Sequence, residues 1–535
     1  MVRASISLVL GIFAALMPIK TIAAERISVN VTPFGQFYLE VNDLEAFVET
    51  GKISKELAYY LNRLPDKQVA RLPELLSTAV EFEPLTIAKF ANSTVGETVI
   101  KNFGKGIRTS SNRNGFLALR SAIIAATFED RELTVINLLR QFPGKTIYID
   151  LQVIEKYIER GQKLLRNREA IDTVIFGDSI EDSKVDRAKH DYLAQRGKFN
   201  WREQTLSYSN PRRSRTGNFD LYLPDKKHPS LIVISHGVAS SRKTFTYLGR
   251  HLASQGFAVA IVEHNDISLN KFDNFLSGLD DFPEPNNLIE RPLDIKYVLD
   301  FLERESYVRS SAQNKINLER VGIIGHSFGG YSSLVLAGGK LIADPQEKKC
   351  SIEDNQSVLL DLSSLAKCTF NQVSTQDYQL KDSRVKAVIA LNPMSRIFDP
   401  VGISSIDVPT MFVSSTNDLI MPPVAEQIQP FTWLDRDIDK YLVFVKPGTH
   451  FSFLREGLGV LPVPDSVVGI SPTEAYPVIK ALATVFFQTY LNQQEDYRAY
   501  LQSDALNLFD NSSFQLSIIN SLDSPQLLEL LEVIN

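Results

Sequence analysis

Two textures of hydrophobic spacing divide the chain. From Ile27 to Asp191, apolar residues recur every three or four positions in "DLEAFVETGKISKELAYYLNRL", "KQVARLPELLSTAVEF", "GFLALRSAIIAATF" and "ELTVINLLRQF". That period gathers them on one face of a helix and predicts a helical module, interrupted at Gly51 and Pro73. Asp43 is the expected N-cap of its first long helix. "KTIYIDLQVIEKYIERGQKLLRNR" then runs on into a charged helix.

Beyond the polar stretch "SIEDSKVDRAKH" the pattern changes. Short apolar, β-branched runs alternate with amphipathic helices: "NFDLYLP", "SLIVISHG", "FAVAIVEHN", "RVGIIG", "VKAVIALNP", "VPTMFVSS" and "YLVFVKPG" read as strands. "FTYLGRHLASQG", "RPLDIKYVLDFLERE" and "TEAYPVIKALATVFFQTYL" read as helices. Such alternation implies a mostly parallel sheet covered on both faces. The spacing thus predicts an α/β domain over 196–491, an all-helical domain over 25–195 and a polar C-terminal tail over 492–535 that ends in one docked helix, "SPQLLELLEVIN".

Composition adds limits. The 535 residues are 44% hydrophobic and 22% charged with a net charge of −6, which fits a globular protein of several domains and lacks the basic footprint of a nucleic-acid binder. At the N-terminus Arg3 precedes the apolar run "ISLVLGIFAALM", and Ala23 and Ala24 supply small residues. This reads as residues 1–24 of a secretory signal peptide, because the run falls short of the roughly 18 apolar residues a membrane span needs. An uncleaved anchor is the rival. The expectation is an exported protein, periplasmic or secreted, with no integral membrane span once the signal is removed. Cys350 and Cys368 lie close together in one polar insertion, a disulfide candidate worth on the order of 3 kcal/mol; two free thiols are the alternative. Neither CxxC nor HExxH occurs, so no metal or cofactor is expected. "PGKTIY" has Leu139 where a phosphate loop needs glycine, and "GGKLIA" lacks the hydroxyl residue after its lysine.

The stretch "RVGIIGHSFGGYSS" carries the chemistry. Ser327 stands between Gly325 and Gly329 at a strand-to-helix turn, where a serine hydroxyl protrudes and larger neighbours would collide. A serine is a weak nucleophile until a base takes its proton. In chain order serine, acid, histidine, Asp418 follows the strand "VPTMFVSS" and His450 follows "YLVFVKPG". His450 is the expected general base and Asp418 the group that orients it. A helix cap and a surface loop histidine are their respective alternatives. Backbone N–H groups of Phe328 and Val238 are the expected oxyanion donors, Gly237 letting the second loop approach. His236 reads as a loop-fixing residue at the rim of a pocket. Phe451 and Phe453 beside the base line an acyl pocket or pack in the core. Two long segments, 268–292 and about 340–383, are candidate lids.

"ISHGVASSRKTFTYLGRHLASQGFAVAIVEHND", "RPLDIKYVLDFL" and "GIIGHSFGG" resemble the platelet-activating-factor acetylhydrolase branch of the α/β-hydrolases. The chain is also similar to cyanobacterial predicted hydrolases, labelled dienelactone-hydrolase-like, in which a signal peptide and a helical domain precede the hydrolase. The resemblance implies an α/β-hydrolase fold and metal-independent, serine-dependent hydrolysis of a lipid or short-acyl ester. Ser327, Asp418 and His450 match the triad, and Val238 and Phe328 the oxyanion donors. Dienelactone hydrolases proper use cysteine where this chain has Ser327, so that label does not name a substrate. A peptidase or amidase with the same triad, and a non-catalytic envelope-interaction protein on a hydrolase scaffold, are the competing expectations. The oligomeric state is not legible.

Overall fold

The computed structural model describes residues 23–534 except for 32–34, 64–65, 82–83, 130–131, 178–191, 211–212, 265–270, 272–273, 275–285, 309–315, 343–362, 364–365, 368–378, 455–467, 503–504 and 506–512. The chain forms two compact units that divide between Glu159 and Arg160. The signal segment up to residue 22, Cys350, Cys368 and most of both candidate lids lie outside the described residues.

In the second unit the apolar runs form a nine-stranded sheet. Its strands are β1 (Trp201–Asn210), β2 (Arg215–Pro224), β3 (Ser230–Ser235), β4 (Ala258–Val262), β5 (Asn317–His326), β6 (Val385–Leu391), β7 (Thr410–Ser415), β8 (Lys440–Lys446) and β9 (Gln515–Ile519). In space they run β9-β8-β7-β6-β5-β3-β4-β2-β1. The block β3 to β8 is parallel, whereas β2 pairs antiparallel with both β4 and β1, and β9 antiparallel with β8. The order places β3 and β5 side by side at the centre, with Ile324 opposite Ile234.

Alternate residues of these strands feed two cores, one on each face. Val233, Ile323 and Phe412 face one side with helices α2 (Asn287–Val308), α3 (Phe328–Leu336) and α5 (Pro525–Ile534). Ile232, Ile324 and Val443 face the other, against α1 (Thr246–Ser254) and α4 (Pro472–Tyr490). A strand buried on both faces has no polar side to show, which is why the four residues between the serines of "SLIVIS" are all apolar.

Two expectations need correction here. Residues 492–535 are not a polar tail: β9 completes the sheet at β8, and α5 buries Leu527, Leu530 and Ile534. "QLSII" alternates polar with apolar because an outer strand lies half in solvent. The unit also starts before residue 196, since Ala170, Ile171, Val174 and Ile175, at the end of the helix Leu151–Phe176, join the first of its two cores.

The first unit is not all-helical. It holds a four-stranded sheet built from Arg26–Val31, Gly35–Glu40, Thr146–Ile149 and Ile107–Arg108. "RISVNV" and "TIYI" pair in parallel, with Ile27 opposite Ile147. Strands this short fall below the length at which alternation stands out from the surrounding helical period. The helix Val41–Thr50 ends at Gly51, whose φ of 73° is the left-handed conformation of a C-terminal cap. Pro73, however, sits inside the helix Asp66–Ser77 and does not break it. Asp43 is not the N-cap: it lies in the first turn of the helix, and its carboxylate accepts a 2.6 Å hydrogen bond from the Ser54 hydroxyl.

Candidate active site

The centre of the sheet ends in a forced turn. Strand β5 stops at His326 and α3 starts at Phe328, so Ser327 alone makes the reversal, with φ 55° and ψ −117°. Such a conformation costs about 1–3 kcal/mol in a non-glycine residue and persists only where the surroundings hold it. Here the Ser327 N–H donates to the Leu391 carbonyl at 2.9 Å, and the Ser327 carbonyl accepts from Met394 and Tyr331, each at 3.1 Å. The flanking glycines are sterically required. A Cβ on Gly325 would come 2.0 Å from the Gly329 carbonyl oxygen, and one on Gly329 would come 2.1 Å from that of Ser235. The turn is therefore locked against both α3 and the end of β3.

Asp418 and His450 arrive from the ends of β7 and β8. The Nδ1 of His450 lies 2.7 Å from Oδ2 of Asp418. A carboxylate accepts and does not donate, so the ring proton sits on Nδ1 and Nε2 presents a lone pair. The other oxygen of Asp418 accepts from the N–H groups of Ile420 and Met421, at 2.8 and 2.7 Å. These N–H groups belong to a bend that precedes the helix Val424–Ile428, whose N-cap is Pro423, so the helix cap posed as the alternative from sequence is not realised. Ser327, Asp418 and His450 are 5%, 2% and 7% exposed, so water scarcely screens their interactions.

His326 holds the histidine loop: its Nε2 lies 2.9 Å from the His450 carbonyl oxygen, and the two rings are 4.7 Å apart. Burial, reinforced by the nearby His450, keeps His326 well below the ordinary histidine range and hence neutral. Asn392 ties the other two elements. Its side-chain oxygen accepts from the Ser415 N–H at 2.9 Å, while its amide donates to the Ser415 hydroxyl and the Thr449 carbonyl at 3.0 and 3.2 Å. One residue after β6 thus spans from the end of β7 to the residue before His450.

The comparisons with known proteins agree with this topology. Residues 185–344 match the family model "PET hydrolase-like". A second model, "Alpha/beta hydrolase of unknown function (DUF1400)", matches residues 23–150, which lie in the first unit and outside the nine-stranded sheet. The second unit has the α/β-hydrolase fold. It is similar to the platelet-activating factor acetylhydrolases of Bos taurus, 28% identical over 160 residues, and of Canis lupus familiaris, 27% over 163 residues. In each case the alignment covers 24% of this chain and 34% of the relative, so the chain spans about a third of the length of these curated relatives.

In the α/β-hydrolase unit, the loop after β3 packs directly on the elbow. A Cβ on Gly237 would lie 3.0 Å from Cβ of Ser327, close enough to force a shift. His236 holds the loop from inside the fold. It is fully buried, its Nδ1 lies 2.8 Å from the Gly237 carbonyl oxygen, and its Nε2 accepts from the His264 N–H at 3.1 Å. Farther along the same loop, Arg242 bridges Asp220 at 3.0 Å and Glu263 at 2.7 Å. Phe453 is likewise core, with no exposed surface, because its ring joins the α1 and α4 face. Phe451 packs in that cluster too, with its ring 5.8 Å from that of His450. Val238 is half-buried at the turn of the β3 loop, and Phe328 is buried at the start of α3.

Arg291, His326 and Asn392 were not singled out as functional from sequence. Arg291 leaves a signal: it falls between Leu288 and Ile295 on the apolar face of α2, a position where a helix normally carries a hydrophobic residue. Among the described residues no helix is long and apolar enough to cross a membrane.

Proposed function

We propose that this protein is a serine hydrolase that cleaves carboxylic esters, of a lipid or of a short acyl group, through an acyl-enzyme. His450 Nε2 takes the proton of the Ser327 hydroxyl as its oxygen attacks the ester carbonyl. Asp418 keeps the imidazole in the required tautomer and stabilises the imidazolium that forms. The tetrahedral oxyanion is held by the N–H groups of Phe328 and Val238. His450 then returns the proton to the departing alcohol, and water repeats the sequence on the acyl-enzyme, releasing the acid and restoring Ser327.

The observation that carries this reading is the buried 2.7 Å contact between His450 and Asp418, on loops beside the strained Ser327 turn. A structural salt link needs no such turn, and the strain of the turn has no return in stability, which leaves a use for the Ser327 hydroxyl as its reason. Similarity to acetylhydrolases supports an ester as substrate, and a lipid or small acyl ester as its class. Export of the chain after removal of residues 1–24 belongs to the same proposal, and the N-terminal mass of the protein recovered outside the cytoplasm tests it.

Nitrophenyl acyl esters set against aminoacyl anilides test the substrate class. Turnover of the esters, lost in Ser327→Ala, is the expected result. Turnover of the anilides alone would replace the esterase with an amidase.

A further inference from the structure

We infer that Arg291 is a positioning residue that aims both oxyanion donors; the inference rests on the esterase reading above. Arg291 is the fifth residue of α2 and has no exposed surface. Its Nη1 donates to the His236 carbonyl at 2.9 Å and its Nη2 to the Gly237 carbonyl at 3.4 Å. Its guanidinium carbon stands 4.6 Å from the centre of the Phe328 ring. One buried cation therefore touches the peptide that ends in the Val238 N–H and the side chain of the residue that supplies the other donor.

Peptide geometry turns these contacts into a statement about direction. A trans peptide is planar, and its C=O and N–H point opposite ways. Gripping the Gly237 carbonyl therefore fixes the plane of the Gly237–Val238 peptide and turns the Val238 N–H away from Arg291. The same carbonyl is held a second time, by His236 Nδ1 at 2.8 Å, so the plane is defined by two donors arriving from different elements. Phe328 is restrained on the other side by its ring, which a guanidinium attracts through the negative face of the aromatic system. Tyr331 and Phe398 extend that stack, with ring centres 5.5 Å apart at each step. Arg291 thus links the β3 loop to the start of α3 across the mouth of the elbow. Its positive charge also favours an anion forming nearby.

Burying a guanidinium costs several kcal/mol before its hydrogen bonds are counted, and an apolar side chain of similar size often does the structural task as well. That contrast supplies the test. Arg291→Met keeps the volume and removes the donors. Arg291→Lys keeps a charge but cannot fork to two carbonyls. The probes are p-nitrophenyl acetate and a trifluoromethyl ketone, whose serine adduct places an oxyanion in the hole. Relative to wild type, Arg291→Met is expected to lose roughly 10²-fold in kcat, as for an oxyanion donor out of place. KM should move less than about threefold, and ketone affinity should fall in step with kcat/KM. Guanidinium at tens of millimolar should recover part of the activity of Arg291→Ala. If Arg291→Met does not fold by circular dichroism, Arg291→Lys carries the same comparison, with a loss of at least tenfold in kcat. Variants that melt earlier but keep wild-type kcat and ketone affinity overturn the inference and leave the esterase reading intact. A wild-type protein inert to both probes overturns the esterase reading and this inference with it.

Discussion

Nδ1 of His450 and Oδ2 of Asp418 meet at 2.7 Å across two loops that leave neighbouring parallel strands. The contact is buried and directional, so it selects one tautomer rather than merely neutralising charge. Asp418→Asn keeps the shape of the side chain but presents an amide that can donate to Nδ1 and favour the wrong tautomer. The expected result is a loss in kcat of roughly 10⁴-fold with little change in fold. Steady-state kinetics beside a circular dichroism spectrum checks it, and a loss below tenfold would remove Asp418 from the mechanism.

Asn392 is expected to serve alignment more than folding. Asn392→Ala leaves the buried Ser415 N–H without its acceptor, a cost of about 1–3 kcal/mol in stability. Because the same side chain reaches the Thr449 carbonyl beside His450, kcat should fall about tenfold as well. Urea melts and kinetics on one preparation check both numbers. A loss of stability with kcat unchanged would make the residue a strand fastener only.

Gly329 has no room for a side chain. The clash of a Cβ with the Ser235 carbonyl involves backbone on both sides, so neither can swing away. Gly329→Ala should cost about 3 kcal/mol, at the upper end of overpacking penalties, and leave little activity in what folds. Thermal melting measures this, and an alanine variant as stable and active as wild type would mean the elbow is looser than its geometry.

The parallel strands were legible because burial on both faces writes them as unbroken apolar runs, and chemistry collects where such runs stop. That is why Ser327, Asp418 and His450 can each be read at a strand end from the sequence. The short strands of the first unit were not legible: "RISVNV" and "TIYI" are brief and sit among helical periods. "QLSII" was lost in a polar context, being an outer strand whose partner, β8, lies about seventy residues earlier. Arg291 and Asn392 act through backbone carbonyls and amides, which no spacing rule encodes. Arg291 shows only as a charge on an apolar face, and Asn392 only as one more polar residue after a strand.

Acid should weaken the fold ahead of the usual carboxylate range. Burial pushes His251 down to about 3. It also keeps His264 and His326 well below the ordinary histidine value, with Arg291 adding to the effect at His264 and His450 at His326. Each of these rings binds a proton more readily unfolded than folded. Their contribution is therefore complete above the unfolded value near 6.5 and is lost as the pH falls from there toward the depressed folded value. For His251 the loss between pH 6.5 and 5 comes to about 2 kcal/mol, and His264 and His326 act in the same direction. The urea midpoint should fall clearly from pH 7.5 to pH 5, and a midpoint that stays level would show the rings already charged in the fold.

The central claim is that the Ser327 hydroxyl is an activated nucleophile. A fluorophosphonate probe on the purified protein, followed by mass mapping of the adduct, tests it most directly. The account predicts stoichiometric labelling at Ser327, absent in Ser327→Ala and slowed by orders of magnitude in His450→Ala. A folded wild-type protein that takes up no probe, or takes it up elsewhere, contradicts it.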